Sequence, residues 1–280
     1  MGKIAIVTDS LADVPEEFIK MYNIYVAPLV INIDGISYKD GVDLSKDDFY
    51  NLLNEGKMPT TSQVPPGEFI DMFEDLLKSY ECIIAILLSS KLSGTYQSAV
   101  IAKNTLNNDK IFIIDSRNFS LGNGLIVIKA AEMALNGNSK DDIIKEVEDM
   151  IPKMRYIMTF DSLDYLYRGG RLNKSQAIIG NILNIKPIIM NDDGELKIVD
   201  KVRGRKNIIK WIIKYIRDKE IDFENQEIGL IHTGSSEFIN DIENTLRSEL
   251  GITKFIKSRA GCAAGVHAGP SAVGVFFKLK

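Results

Sequence analysis

Two cysteines in 280 residues, Cys82 and Cys262, lie far apart and outside any CxxC or Cys/His cluster, so neither a disulfide framework nor a zinc site is indicated. Each reads as a small buried hydrophobe. No apolar run exceeds the seven residues of Cys82 to Leu88, whereas a membrane helix needs about twenty, so no segment is expected to span a bilayer. Met1-Gly2-Lys3 leads straight into Ile4 to Val7 without an apolar signal region, and a cytoplasmic location is expected. Positive charge is not in excess either: the net charge of −4 gives no general attraction to nucleic acid, so any partner is recognised locally. Neither a GxxxxGK[ST] phosphate loop nor a GxSxG nucleophile elbow occurs. With 45% hydrophobic and 26% charged residues, the chain has the composition of a folded globular protein.

Short apolar runs alternate with amphipathic stretches through the first half. Ile4 to Thr8, Ile24 to Ile33, Cys82 to Leu88 and Ile111 to Asp115 read as strands. Helices are expected at Pro15 to Tyr22, with Asp13 as N-cap and Glu16 three positions on, and at Gly67 to Ser79 after Pro66. Further helices are expected at Lys46 to Asn54, Thr95 to Leu106, Gly124 to Leu135 and Lys140 to Met150. Strand followed by helix in this order predicts an α/β layer with a mostly parallel, Rossmann-like sheet, whose functional loops leave the carboxyl ends of the strands. In the second half, Ile185 to Met190 and Glu195 to Val202 flank the turn Asn191-Asp192-Asp193-Gly194, which predicts a mixed or antiparallel sheet. Strands near Glu227 to His232, Lys254 to Ser258 and Gly274 to Leu279 and helices at Lys206 to Arg217 and Glu237 to Leu250 complete it. The fold class is α/β, with two α/β domains, residues 1–152 and 153–280, divided near Pro152.

Two hydroxyl-rich segments stand out. Leu92-Ser93-Gly94-Thr95 follows an apolar strand and opens a helical stretch, where unpaired N–H groups and the helix dipole favour an anion. Ser93 reads equally as a helix cap. Pro59-Thr60-Thr61-Ser62-Gln63 precedes Val64-Pro65-Pro66 and reads either as a rigid ligand loop or as a polar turn. Strand ends at Thr8-Asp9-Ser10 and Asp115-Ser116 add polar groups on the same side, their carboxylates suited to binding loop N–H groups. Cations come from the second half: Arg168, Arg171, Lys174, Lys201, Arg203, Arg205 and Lys206, with His232 and His267. Arg171 follows two glycines and is suited to a bidentate contact with an anion. His267 lies in Gly265-Val266-His267-Ala268-Gly269-Pro270, among residues small enough for close approach.

The ordered set Val7-Thr8-Asp9-Ser10, Tyr38 to Val42, Pro59 to Gln63, Leu92 to Ala99, Arg168 to Arg171, Ile185 to Ile188, Lys201 to Gly204 and His267 to Pro270 resembles the DegV family over almost the whole chain. One departure is Val64-Pro65-Pro66, where the family commonly has Pro-Ser-Pro. The resemblance implies a carrier rather than an enzyme, with no cofactor, no metal and no catalytic residue of its own. It implies a long-chain fatty acid such as palmitate or oleate held between the two domains. The carboxylate would sit on Thr61, Ser62 and Ser93 near the Gly94 amide, with Arg171 and His267 as second-domain head-group candidates. The implied partner is a separate ATP-dependent kinase resembling dihydroxyacetone kinases, which would convert the bound acid to an acyl phosphate for phospholipid synthesis. Transient membrane contact stays open. Two alternatives compete: a hydrolase with Ser93 as nucleophile and His267 or His232 as base, and a phosphate- or nucleotide-binding regulator.

Overall fold

The computed structural model describes residues 3–172, 185–219 and 221–280; Lys174, one of the cation candidates, lies outside them. The first strand, β1 (Ile4–Asp9), is followed by a turn of 3-10 helix, α1 (Glu16–Tyr22) and β2 (Tyr25–Ala27). Then come β3 (Val30–Ile33), β4 (Ile36–Lys39), α2 (Lys46–Asn54), β5 (Thr60–Ser62), α3 (Pro66–Leu76) and β6 (Cys82–Leu87). α4 (Thr95–Leu106), β7 (Ile111–Asp115), α5 (Leu121–Leu135) and α6 (Lys140–Met150) complete this part. β1, β2, β6 and β7 form a parallel sheet in the order β2-β1-β6-β7. β6 is buried at every position, as a strand covered on both faces must be.

The second half contributes β8 (Met154–Thr159), α7 (Asp164–Arg168), β9 (Ile185–Asp192), β10 (Glu195–Arg203) and α8 (Arg205–Arg217). β11 (Ile228–His232), α9 (Glu237–Leu250), β12 (Phe255–Arg259), α10 (Cys262–Ala268) and β13 (Val273–Lys278) follow. Its sheet has the order β10-β9-β8-β13-β11-β12, antiparallel throughout except for the parallel β11–β12 pair, as the mixed-sheet expectation required. The β9–β10 hairpin turns at Asp193 and Gly194, both with positive φ.

Three elements depart from the sequence reading. Ile24 to Ile33 is two strands, because Pro28 has no N–H to continue a ladder and the chain changes sheet across it. β3 joins β4 and β5 in a separate three-stranded antiparallel sheet, and the β3–β4 hairpin turns at Asp34 and Gly35, with φ of 51° and 84°. The Pro59 to Gln63 segment is therefore no loop: Thr60 to Ser62 is a strand paired to β3, with Ile31 opposite Thr61. At α1 the N-cap is Pro15, not Asp13; the Asp13 carboxylate instead accepts bonds from Gly261 N–H (2.7 Å) and Ser120 Oγ (2.7 Å).

That last exchange positions the site. Asp40 likewise accepts from the N–H groups of Cys262 (3.0 Å) and Ala263 (3.3 Å), so buried carboxylates of the first half cap the first turn of α10 in the second. Cys262, Ala263 and Val266 then pack into the same core as Phe49, Phe69 and Ile83. α5 is shared in the opposite sense, packing on β1 and β6 and also on β8, β11 and β13. Its apolar residues surround it instead of forming one stripe, as a helix enclosed by both sheets requires. A third core lies on the far face of the six-stranded sheet, where Ile208, Ile212 and Ile216 of α8 meet Ile242 and Leu246 of α9.

Candidate functional site

The loops after β1, β6 and β7 converge at the carboxyl edge of the parallel sheet, and acid side chains at the strand ends, Asp9 buried and Asp115 partly so, hold them there. Asp9 accepts from Leu11 N–H (3.0 Å) and Leu88 N–H (2.7 Å). Asp115 accepts from the N–H of Ser90 (3.1 Å) and Arg117 (3.0 Å) and from Ser90 Oγ (2.6 Å). These carboxylates satisfy loop amides, as their positions at the strand ends suggested. Burial pushes Asp9 up to about 7, partly opposed by its two amide bonds. Ser89 donates to the Gly194 carbonyl (2.8 Å), which docks the tip of the β9–β10 hairpin onto the same loops.

Between these loops and the six-stranded sheet runs an apolar cavity. Leu11, Leu29, Leu88 and Phe119 face Met158, Phe160, Leu196, Ile231 and the small side chains of Ala260, Ala263, Ala264 and Ala268. The empty space between its walls is about 780 Å³, some of it open to solvent, yet the centre of a water molecule reaches only about 70 Å³ of it. The cavity is thus a narrow, mostly apolar slot, suited to an aliphatic chain and poorly suited to a bulky polar ligand. Ser120 and Thr233 also line it, but their hydroxyls are engaged by Asp13 and by Ala272 N–H.

Of the remaining polar residues, Thr61, Ser93, Arg171 and His267 form one cluster. Thr61 Oγ1 is 2.8 Å from His267 Nε2. Arg171 donates from Nε (3.1 Å) and Nη2 (2.9 Å) to the Leu92 carbonyl and from Nη1 to the Gly169 carbonyl, which places its guanidinium beside Ser93. Glycines make this approach possible. A Cβ on Gly169 would come within 2.2 Å of His267 Nδ1, and one on Gly269 within 2.5 Å of the Tyr165 ring, so α7 and α10 interlock through the RGGR and HAGP motifs. Gly170, at φ +74°, turns the chain so that Arg171 points back inward. Burial, and then the Arg171 charge, push His267 down to about 4, so its ring is neutral at pH 7. Among the described residues its buried Nδ1 has no hydrogen-bond partner, and a second ring proton would find no acceptor among them. Burial also lowers Arg171, whose guanidinium stays charged.

Thr61, Ser93, Arg171 and His267 are thus assembled from four segments. Ser62 reaches the cavity wall, but strand alternation sends its side chain to the face opposite Thr61, where its hydroxyl accepts from Asn32 Nδ2 (3.1 Å). Ser93 Oγ lies 3.0 Å from Thr95 Oγ1 and accepts from Thr95 N–H (3.2 Å); it lines the cavity one position ahead of Gly94, which is the N-cap of α4. Gly94 is glycine because the Gln63 side chain lies against it: an added Cβ would sit 1.9 Å from Gln63 Oε1. His232 is elsewhere, with Nδ1 on the Gly234 carbonyl (2.8 Å). Neither histidine is hydrogen-bonded to Ser93, so the nucleophile and base of the hydrolase alternative are not in contact. Among the described residues no group of three His, Cys, Asp or Glu is placed to hold a metal, and no helix is long and apolar enough to cross a membrane. The wall residues Phe119, Phe160 and Leu196 carry no local sequence signal beyond hydrophobicity and were not anticipated.

Comparison with known proteins agrees with this geometry. The model of the DegV family, described as uncharacterised proteins, matches residues 3–280. A DegV domain-containing protein of Caldanaerobacter subterraneus is 62% identical over 280 residues, covering 100% of both chains. The crystal structure of DegV from Bacillus subtilis, described as a fatty acid binding protein, has 34% identity and a TM-score of 0.88 over 100% of both chains. A fatty-acid-binding DegV family protein from Thermus thermophilus has 27% identity and a TM-score of 0.90, over 99% of this chain and 100% of its own.

Proposed function

The chain belongs to the DegV family, and from that premise we propose that it binds one long-chain fatty acid, tail in the slot and carboxylate at the Thr61–Ser93–Arg171–His267 cluster. The observation that carries this reading is a narrow apolar slot meeting a compact set of neutral donors and one cation. Burying a sixteen-carbon tail removes about fifteen CH₂ or CH₃ groups from water, about 12 kcal/mol gross at ~0.8 kcal/mol each. Hydrogen bonds to a carboxylate largely replace water, so they select an acid and fix its orientation while the tail supplies affinity. Residues 1–152 and 153–280 act as two domains closing over the ligand, with α10 capped by Asp40 as the element that carries His267 across. The domain division and the head-group residues are part of this proposal.

The carboxylate is then presented to a separate, dihydroxyacetone-kinase-like ATP-dependent kinase, which phosphorylates it in the cytoplasm to supply acyl phosphate for phospholipid synthesis. Two features support the division of labour: the chain has no phosphate loop, and Thr61, Arg171 and His267 of the head-group cluster also line a second, solvent-open space. The test mixes palmitate-loaded protein, kinase and ATP and traps acyl phosphate with hydroxylamine. Hydroxamate that forms only when both proteins are present supports the proposal. Its absence with a kinase active on another carrier counts against the presentation step.

A further inference from the structure

Thr61, Arg171 and His267 face two spaces. On one side is the slot; on the other is a chamber walled by Met58, Pro59 and Thr60 from one half and by Tyr165, Arg168 and Gly169 from the other. The chamber is the roomier space: of about 690 Å³ empty, part of it open solvent, the centre of a water molecule reaches about 260 Å³, against about 70 Å³ in the slot. Among the described residues its lining contains two arginines and no carboxylate. Arg168 is exposed, and among the described residues its side chain meets only the Met58 thioether (3.4 Å), a weak acceptor, and forms no ion pair. Residues 173–184 contain no Asp or Glu that could pair with it. Among the described residues Arg171 directs three of its five N–H donors to the Leu92 and Gly169 carbonyls.

Two cations without a carboxylate among the described lining residues, set around a water-accessible space of this size, fit a compact, multiply charged anion. We infer that this outer chamber is a second ligand site that takes a tetrahedral oxyanion of the phosphate class, with Arg168 as its main cation and Arg171 shared with the head-group cluster. The site goes beyond the fatty-acid reading, because it is occupied while the slot is full.

The test is a phosphorus NMR titration of the full chain with inorganic phosphate and, separately, with phenyl phosphate, before and after loading with palmitate. Saturable line broadening is expected with at least one of the two. It should persist after palmitate loading and weaken about ten-fold or more in Arg168→Gln, a variant whose palmitate uptake stays within about two-fold of the parent. Stronger binding of inorganic phosphate assigns the site to the free ion; stronger binding of phenyl phosphate assigns it to the terminal group of an ester. No saturable binding of either ion, binding indifferent to Arg168→Gln, or binding abolished by palmitate would each overturn the inference. Failure to take up palmitate would count against the fatty-acid reading alone, because the Arg168→Gln comparison still decides the anion site.

Discussion

The slot draws its walls from every part of the chain, Leu11 and Leu29 early, Met158 and Phe160 at the middle, Ile231 and Ala264 late, whereas the cluster at its head comes from four short segments with recognisable patterns. The slot offers area without direction; the cluster offers direction with little area. In the proposed carrier the first sets how tightly an acid is held and the second where its carboxylate points. The two regions should therefore respond differently to substitution.

The largest effect is expected from closing the slot. Ala264→Phe places a ring where a methyl group lines the bore, and fatty acid affinity should fall by about a hundred-fold or more, measured by displacement of a fluorescent acid. An unchanged affinity would mean that the tail lies elsewhere. Arg171→Met removes the one cation from the cluster while keeping most of the packing volume. Affinity should drop about ten-fold, and His267 should titrate closer to its ordinary 6.5, because the second cause of its depression is gone; NMR of the ring protons reads this directly.

His267 also links the cluster to pH. With a folded value of about 4 against an ordinary 6.5, the unfolded chain binds a proton between those values that the folded chain does not. The contribution of the neutral ring is fully present above pH about 6.5 and is lost as pH falls towards 4, about 3 to 4 kcal/mol at most from ~1.4 kcal/mol per unit. Asp9 and Asp13 are raised to about 7 and about 6 by burial, and they act in the opposite sense over an overlapping window. A His267→Asn variant isolates the histidine: its Tm relative to the parent should rise as pH falls from 7 to 4.5. A constant difference would show that the ring is not held neutral by its surroundings.

The smallest effects separate two neighbouring hydroxyl positions. Ser93→Ala should weaken fatty acid retention a few-fold and lower acyl phosphate formation by the kinase more than that, because it lines the cluster beside Arg171. Ser62→Ala should change either by less than about two-fold, because its hydroxyl is bonded to Asn32 on the other face of β5. Equal losses for the two would erase the distinction that strand alternation draws.

The periodic elements were legible in the sequence because their signals are local. Lys46–Asn54, Thr95–Leu106, Lys140–Met150, Glu237–Leu250 and the Ile111–Asp115 strand lie where spacing and capping put them. What the sequence obscured depends on distant partners. Thr60 to Ser62 looks like a proline-stiffened loop until β3 supplies its ladder, and Asp13 looks like a cap until Gly261 and Ser120 claim its carboxylate. The seven-residue α10 has one glycine within it, one at each cap and no strong periodicity; Asp40, more than two hundred positions away, satisfies its first amides. At the site, the identities of Thr61, Ser93, Arg171 and His267 came from motif order, and the 2.8 Å Thr61–His267 contact came only from the fold. The slot walls were unreadable because burial next to a ligand and burial in a core select the same residue types.

The central claim, that this chain holds a fatty acid in the slot, is tested most directly by native mass spectrometry of freshly purified protein followed by lipid extraction. The account predicts a mass increment of one long-chain acid per chain, released on denaturation and restored by added palmitate or oleate. Protein that carries no acid as purified and takes up neither when offered would contradict it.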